Sequence, residues 1–431
     1  MPDADFQKKL RAIVGTAHVQ PAGAADTIGG VFARLVVEPA SEQEVGAVLR
    51  LANDEGLAVI PRGGGTKLAW GNPPSGADLV LSTARLTRMV EHAWADQTVT
   101  VEAGCAVAAL QQALAHHGQR LAVDVLWPER ATIGGILSAN DSGALRLRYG
   151  GLRDLIIGVT LALADGTLAA SGGKVVKNVA GYDLPKLATG AFGTLGVIVR
   201  ATFRLHPLPR NTRTLTIRTD SADGVERLML AVQSSQLAHA ALQARLSGDS
   251  AEVDVLLEGT EAGISAQETE IRALAVPALV VPGPAAAWTA RQELWASSDA
   301  DQEAGAGGAA GTAGAAIAKL SVLPSDVAGT LATIGRLADV RGAQWRAVVQ
   351  GIGIAWLRLD GSPAALGTIL QELRAELEGL GGSLVIVQQP PGEAALDAWG
   401  SPGDALPVMR ALKQQLDPRG ILNPGRFVGG I

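Results

Sequence analysis

Cysteine is almost missing from this chain: its 431 residues contain one, Cys105. That excludes an internal disulfide and any cysteine-ligated iron–sulfur cluster built by this chain alone. Cys105 follows Val101-Glu102-Ala103-Gly104 in an apolar context, which predicts a small buried side chain rather than a reactive thiol. Aromatic residues make up only 3% of the chain, leaving few platforms on which single-stranded nucleic acid could stack. The formal net charge of −6 provides no basic excess for binding a phosphate backbone. No apolar run approaches the ~18–20 residues of a transmembrane helix. The longest, Leu155 to Ala164, is about one strand long. The N-terminus, MPDADFQKKLRAIVG, has mixed charge and no apolar core of a signal peptide. The expected location is therefore the cytoplasm, with the inner face of the cell membrane reached only through partner proteins.

What is present is a globular composition, 47% hydrophobic and 18% charged, over a length that suits two or three domains. Residues 34–60 read as strand, helix and strand. Ser41 and Glu44 fit a capping box, Val45, Val48, Leu49 and Ala52 form an apolar helical face, and Gly56 closes the helix. The strand Leu57-Ala58-Val59-Ile60 then feeds Pro61-Arg62-Gly63-Gly64-Gly65-Thr66-Lys67. Consecutive glycines leave main-chain N–H groups uncovered and able to converge on an anion. By itself this loop reads more simply as a tight surface turn.

Two further strands follow at Leu79–Ser82 and Thr98–Glu102, and a helix from Val107 to Gly118. Trp127-Pro128-Glu129-Arg130-Ala131-Thr132-Ile133-Gly134-Gly135 opens a small-residue segment that runs through Asn140-Asp141-Ser142-Gly143. Asp165-Gly166 between apolar runs signals a hairpin, and Gly190, Gly193 and Gly196 precede a strand at Val197–Val199. After Pro207 and Pro209 the texture changes. Residues 213–281 and 317–388 each alternate short β-rich runs with two helical patterns, in the order of a split βαβ unit on an antiparallel sheet. The Ala/Gly-rich stretch 299–316 between them reads as a flexible loop.

Three glycine clusters within 200 residues can together wrap a long, phosphate-bearing ligand. They form neither a dinucleotide-binding Gly-x-Gly-x-x-Gly fingerprint nor a P-loop, because the acidic residue of the first and the order of the second are missing. In this order, PRGGGTKLAWG, PERATIGGILSANDSG, YGGLRDLIIGVTLALADG and KNVAGYDLPKLATGAFGTLGVI resemble the FAD-binding domain of the vanillyl-alcohol oxidase/PCMH superfamily. DPRGILNPGRF is similar to that superfamily's usual ending. Within it, the chain most resembles the small FAD-binding E subunits of bacterial glycolate oxidases.

The resemblance implies an α+β fold: a PCMH-type FAD-binding domain of two α+β subdomains at 1–210, plus an α/β cap domain with an antiparallel sheet at 211–409. A C-terminal segment, 410–431, would return to the FAD domain. It implies that Arg62, Gly63, Gly64, Gly65, Thr66 and Lys67 hold the FAD pyrophosphate. Pro128, Ala131, Thr132, Ile133, Gly134, Gly135, Ala139, Ser142 and Gly143 would pass along the phosphates and flavin, and Ile198 would present backbone groups to the adenine. The His or Cys of the superfamily's covalent flavin link is missing, so FAD is expected to be noncovalent. Lys177, Tyr182 and Asp183 divide evenly between loop structure and flavin contact.

Catalysis is less legible. Hydroxy-acid oxidation needs a base near the substrate hydroxyl and a cation for its carboxylate. The six histidines are His18, His92, His116, His117, His206 and His239, with none beyond. No catalytic residue and no metal site is assigned. Arg346 and Arg358 lie on predicted strands, where a solvated sheet face is the simpler role, and Tyr149 and Tyr182 are the only tyrosines. The resulting expectation is a FAD-binding subunit of a multi-subunit 2-hydroxy acid dehydrogenase, acting beside a catalytic FAD subunit and an iron–sulfur subunit. The alternatives are a self-sufficient FAD-dependent 2-hydroxy acid dehydrogenase and a structural subunit with a vestigial flavin site.

Overall fold

The structure is a computed structural model that describes residues 4–174, 182–248, 250–296, 314–392 and 395–431. Two compact units emerge. The first comprises Met1–Ser142, Gly150–Leu208 and Ser401–Ile431, and the second Gly143–Tyr149 and Pro209–Gly400.

The first unit holds two sheets. A four-stranded sheet runs in the order Val19–Pro21, Leu35–Val37, Leu79–Ser82, Val59–Arg62, with its last three strands parallel. Parallel strands need a crossover, and the helix Glu42–Glu55 supplies the one from Leu35–Val37 to Val59–Arg62, which flank Leu79–Ser82. Its Ser41 cap accepts the Glu44 N–H at 3.2 Å, a contact of about 1 kcal/mol. The Glu44 carboxylate reaches back to the Ala40 N–H at 2.7 Å, one residue earlier than a capping box requires. Val45, Val48, Leu49 and Ala52 are fully buried, and Gly56 ends the helix in the left-handed region. The second sheet is antiparallel and five-stranded: Leu168–Gly172, Ile156–Ala162, Val197–Arg204, Thr98–Glu102, Met89–Ala93. The Asp165-Gly166 hairpin joins its first two strands. Cys105 is buried, which pushes its thiol pKa up, as its apolar neighbourhood predicts.

The C-terminal segment is part of this unit. The Val59 N–H donates to Ile421 O at 2.8 Å and the Asn423 N–H to Val59 O at 3.0 Å, so residues 421–423 continue the parallel sheet past its edge. A buried knot pins them. Asp417 accepts from the Ile421 and Leu422 N–H groups at 3.0 and 2.8 Å. Lys413 donates to Asp417 at 2.6 Å, to Thr194 O at 2.9 Å and to Leu422 O at 2.8 Å. Burial lowers the Lys413 pKa, and the Asp417 contact opposes that shift.

The second unit is built on one eight-stranded antiparallel sheet: Val280–Pro282, Asn211–Thr219, Ser250–Gly259, His239–Ser247, Gln344–Gln350, Ile354–Gly361, Gly314–Ser321, Ser383–Gln388. Each half is a βαββαβ module, and the second strands of the two modules pair antiparallel, with Gln243 opposite Gln350. The helices Ala222–Ser234, Glu261–Ala275, Val327–Arg341 and Pro363–Gly379 bury Val225, Leu228, Ile271, Ile334 and Leu373 in one core with sheet residues such as Val253 and Leu357. Of the stretch 299–316, residues 314–316 begin a strand, and the rest lies outside the described residues.

The other sheet face is polar, and here one expectation fails. Arg358 is not solvated but 2% exposed. Its guanidinium donates to Asp360 at 2.8 Å and to the carbonyls of Leu294 and Ala296 at 2.9 and 2.7 Å. The 290–296 segment covers this face and supplies acceptors that a strand pattern cannot reveal. We expect Arg358→Ala to destabilise the second unit by about 3 kcal/mol, because Asp360 and two carbonyls lose their donor. A lower urea midpoint in tryptophan fluorescence reads this out, since Trp356 and Trp295 lie 5.7 Å apart nearby.

Candidate FAD-binding site

The first unit contains an open cleft. Its walls come from four stretches far apart in sequence: Pro61–Leu68, Thr132–Ala139, Phe192–Ile198, and the C-terminal pair Asn423 and Arg426.

The first wall follows from steric necessity. A Cβ on Gly63 would lie 2.0 Å from Thr132 Oγ1, and one on Gly64 would lie 1.7 Å from the Arg130 carbonyl oxygen. Gly64 meets the Arg130–Ala131 backbone and Gly63 the Thr132 side chain, and only glycine allows so close an approach. Thr132 in turn caps the short helix Ile133–Ala139, accepting the Gly135 N–H at 3.4 Å. Gly134 packs against the end of the Thr98–Glu102 strand: its N–H donates to Ala103 O at 2.8 Å, and a Cβ there would lie 2.9 Å from Ala103 Cβ. The two glycine loops are thus wedged together by backbone contact, each fixing the other.

The loop's charges are already matched. The Arg62 guanidinium pairs with Asp26. Burial alone would raise the Asp26 carboxyl, but hydrogen bonds from the Gly23 N–H and Arg62 outweigh it and hold its pKa below the ordinary value. Lys67 is buried with its ammonium 3.0 Å from Asp141, between the Trp70 and Trp127 rings at 5.7 and 5.5 Å. What the loop offers is its main chain. The N–H groups of Gly63, Gly64, Gly65 and Thr66 donate to no group among the described residues. Adjacent unspent amides on a rigid loop suit a pyrophosphate.

The fourth wall was not anticipated. Arg426 is 3% exposed, and its Nη2 donates to the Leu68 and Trp70 carbonyls, each at 2.6 Å. Its guanidinium lies 5.1 Å from the Phe192 ring centre. Burial lowers its pKa to about 10, so it remains a cation at neutral pH. Asn423 donates to Phe192 O at 2.6 Å, while its buried Oδ1 has no donor among the described residues. The motif NPGRF signalled a docked terminus, but not that its polar side chains face this cleft.

Among the expected residues, Arg62 to Lys67, Thr132, Gly134, Gly135, Ala139 and Ile198 line the cleft. Pro128, Ala131, Ile133, Ser142 and Gly143 are not among the lining residues. Ala131 and Ile133 point into the hydrophobic core, the Pro128 carbonyl accepts the Ala108 N–H at 2.9 Å, and Gly143 falls in the second unit. Asp183 caps the helix Leu184–Ala188, Tyr182 is 91% exposed, and Lys177 lies outside the described residues. No histidine, cysteine or tyrosine lines the cleft among the described residues, and none of their His, Cys, Asp and Glu side chains cluster as a metal site.

The family model "FAD binding domain" matches residues 33–172, and "FAD linked oxidases, C-terminal domain" matches residues 401–427. The two matches contain the glycine loop and the Asn423–Arg426 wall respectively. The chain thus carries a FAD binding domain and the C-terminal segment typical of FAD linked oxidases. Its cofactor is FAD, and the cleft fits one: unspent amides for the pyrophosphate, a backbone cradle that a Cβ would fill, and an acceptor awaiting a donor.

The chain is 38% identical over 184 residues to a D-lactate dehydrogenase of Archaeoglobus fulgidus, covering 42% of this chain and 41% of that one. It is 31% identical over 208 residues to glycolate oxidase subunit GlcD of Bacillus subtilis, covering 48% and 44%. It thus spans under half the length of these relatives. Alkyldihydroxyacetonephosphate synthase shares the fold over 99% of this chain and 86% of that one, with a TM-score of 0.78 at 17% identity. So does 4-ethylphenol oxidase from Gulosibacter chungangensis, over 98% and 96%, with a TM-score of 0.75 at 18% identity. Among the described residues no helix is long and apolar enough to cross a membrane.

If backbone contact shapes the cradle, a single methyl group should break it. We expect Gly64→Ala to weaken FAD binding at least about tenfold in a flavin-fluorescence titration, the equivalent of losing one or two well-made hydrogen bonds. Gly367→Ala, on a helix with open space at its Cβ, should leave affinity unchanged and stabilise by about 0.5–1 kcal/mol.

Proposed function

We propose that this chain is a noncovalent FAD-binding subunit of a multi-subunit 2-hydroxy acid dehydrogenase of the glycolate oxidase type. It would act beside a catalytic FAD subunit and an iron–sulfur subunit, passing electrons onward or stabilising the assembly. The observation that carries this reading is a contrast within the cleft. Its walls meet the needs of a nucleotide cofactor, while among the described residues no histidine lines it to serve as a base. Similarity to the D-lactate dehydrogenase and glycolate oxidase subunit supports the substrate class. The single cysteine means that an iron–sulfur centre must come from another chain.

Bound FAD supplies a two-electron acceptor. The chain's own contribution is to hold it. The 63–66 amides and the C-terminal wall fix its position, with Arg62 and Lys67 already paired to Asp26 and Asp141.

One observation favours a second reading, a self-sufficient dehydrogenase. In the second unit the Tyr149 hydroxyl donates to the Glu258 carboxylate at 2.5 Å. A phenol coupled to a carboxylate can relay the hydroxyl proton of a 2-hydroxy acid.

Anaerobic mixing of the FAD-loaded chain with glycolate or D-lactate separates the two. The subunit reading expects the 450 nm band (about where oxidised flavin absorbs) to persist with this chain alone, and a cysteine-rich partner to co-purify from native expression. Bleaching by the chain alone, lost in Tyr149→Phe, would favour the second reading.

A further inference from the structure

We infer that Asn423 is a cofactor-recognition residue whose side-chain oxygen accepts a hydrogen bond from FAD. The inference rests on the cofactor alone and not on the proposed substrate or partners.

Asn423 is 4% exposed and lines the cleft. Its backbone is held at both ends: its N–H donates to Val59 O at 3.0 Å, and its carbonyl accepts the Arg426 N–H at 3.2 Å. Its φ of 43° lies in the left-handed region, which asparagine tolerates better than most side chains. The amide orientation is settled by chemistry. Phe192 O, 2.6 Å away, can only accept, so the Nδ2 amine must face it. The oxygen therefore cannot exchange places with the nitrogen, and it finds no donor among the described residues.

Buried polar atoms are rarely left unsatisfied, because the desolvation cost is then uncompensated. The other properties of this position have separate explanations. Glycine would serve the left-handed backbone, and serine or threonine could donate to Phe192 O. The amide differs in carrying its acceptor on a separate atom, so that with the Nδ2 amine fixed on Phe192 O the Oδ1 is left to face another donor. That acceptor belongs to the same cleft as the unspent amides of Gly63 to Thr66. The two complement each other: the loop supplies donors for the anionic phosphates, and Asn423 supplies an acceptor for a neutral donor. FAD carries several such donors: the ribityl hydroxyls, the ribose hydroxyls, the adenine amine and the isoalloxazine N3–H.

The test titrates the full-length apoprotein with FAD and with analogues that each lack one donor: deoxyribityl, deoxyribose, dimethylated adenine amine and N3-methyl flavin. Wild type should bind one of these about tenfold more weakly than FAD, and in Asn423→Leu that discrimination should disappear, with FAD itself bound about tenfold more weakly. Equal binding of every analogue by wild type overturns the inference, and needs no variant to fold. So does Asn423→Leu that binds FAD as wild type does, or that keeps the same discrimination.

Discussion

The structure of the cofactor site depends on one contact, the approach of the Gly63-Gly64 backbone to the Arg130 carbonyl and the Thr132 side chain. With room for less than a methyl group between them, the two loops cannot move independently. The contact fixes where the 63–66 amides stand. Through Thr132 it also fixes the start of the helix that forms the second wall. The sheets serve this contact: Val59–Arg62 delivers the first loop, and the end of Thr98–Glu102 receives Gly134.

The C-terminal segment applies the same logic from the other side. Asp417 and Lys413 are buried as a pair and spend their remaining valences on main-chain groups of the segment they anchor. Such pairs add little net stability but strongly penalise alternatives, since separating them would strand a buried charge. Their effect is positional. They hold residues 421–426 against the edge of the parallel sheet, and Asn423 and Arg426 thereby reach the cleft from more than 200 residues beyond Phe192 and Ile198.

Much of this was legible in the sequence where local rules govern. Ser41 and Gly56 bound a helix because caps are chemically specific, and the βαββαβ rhythm appears twice because strand and helix periods differ. The glycine loop alone read as a turn, and only its place as the first of three ordered glycine clusters pointed to a ligand cradle. The failures share a cause. Arg358 looked solvated because its acceptors lie more than 60 residues away on a covering segment. Ala131 and Ile133 were grouped with Thr132, Gly134 and Gly135 by sequence alone, whereas their side chains join the hydrophobic core and the other three residues border the cleft. Asn423 and Arg426 carried turn chemistry, and nothing local reveals which cleft a docked terminus faces.

The central claim is that one rigid cradle, closed by a distant C-terminal wall, holds the cofactor. Hydrogen–deuterium exchange of the full chain with and without FAD tests it most directly. The account predicts that FAD protects the amides of 63–66 and those of 421–426 together, at the same cofactor concentration. Protection of one stretch without the other, or of neither, would contradict it.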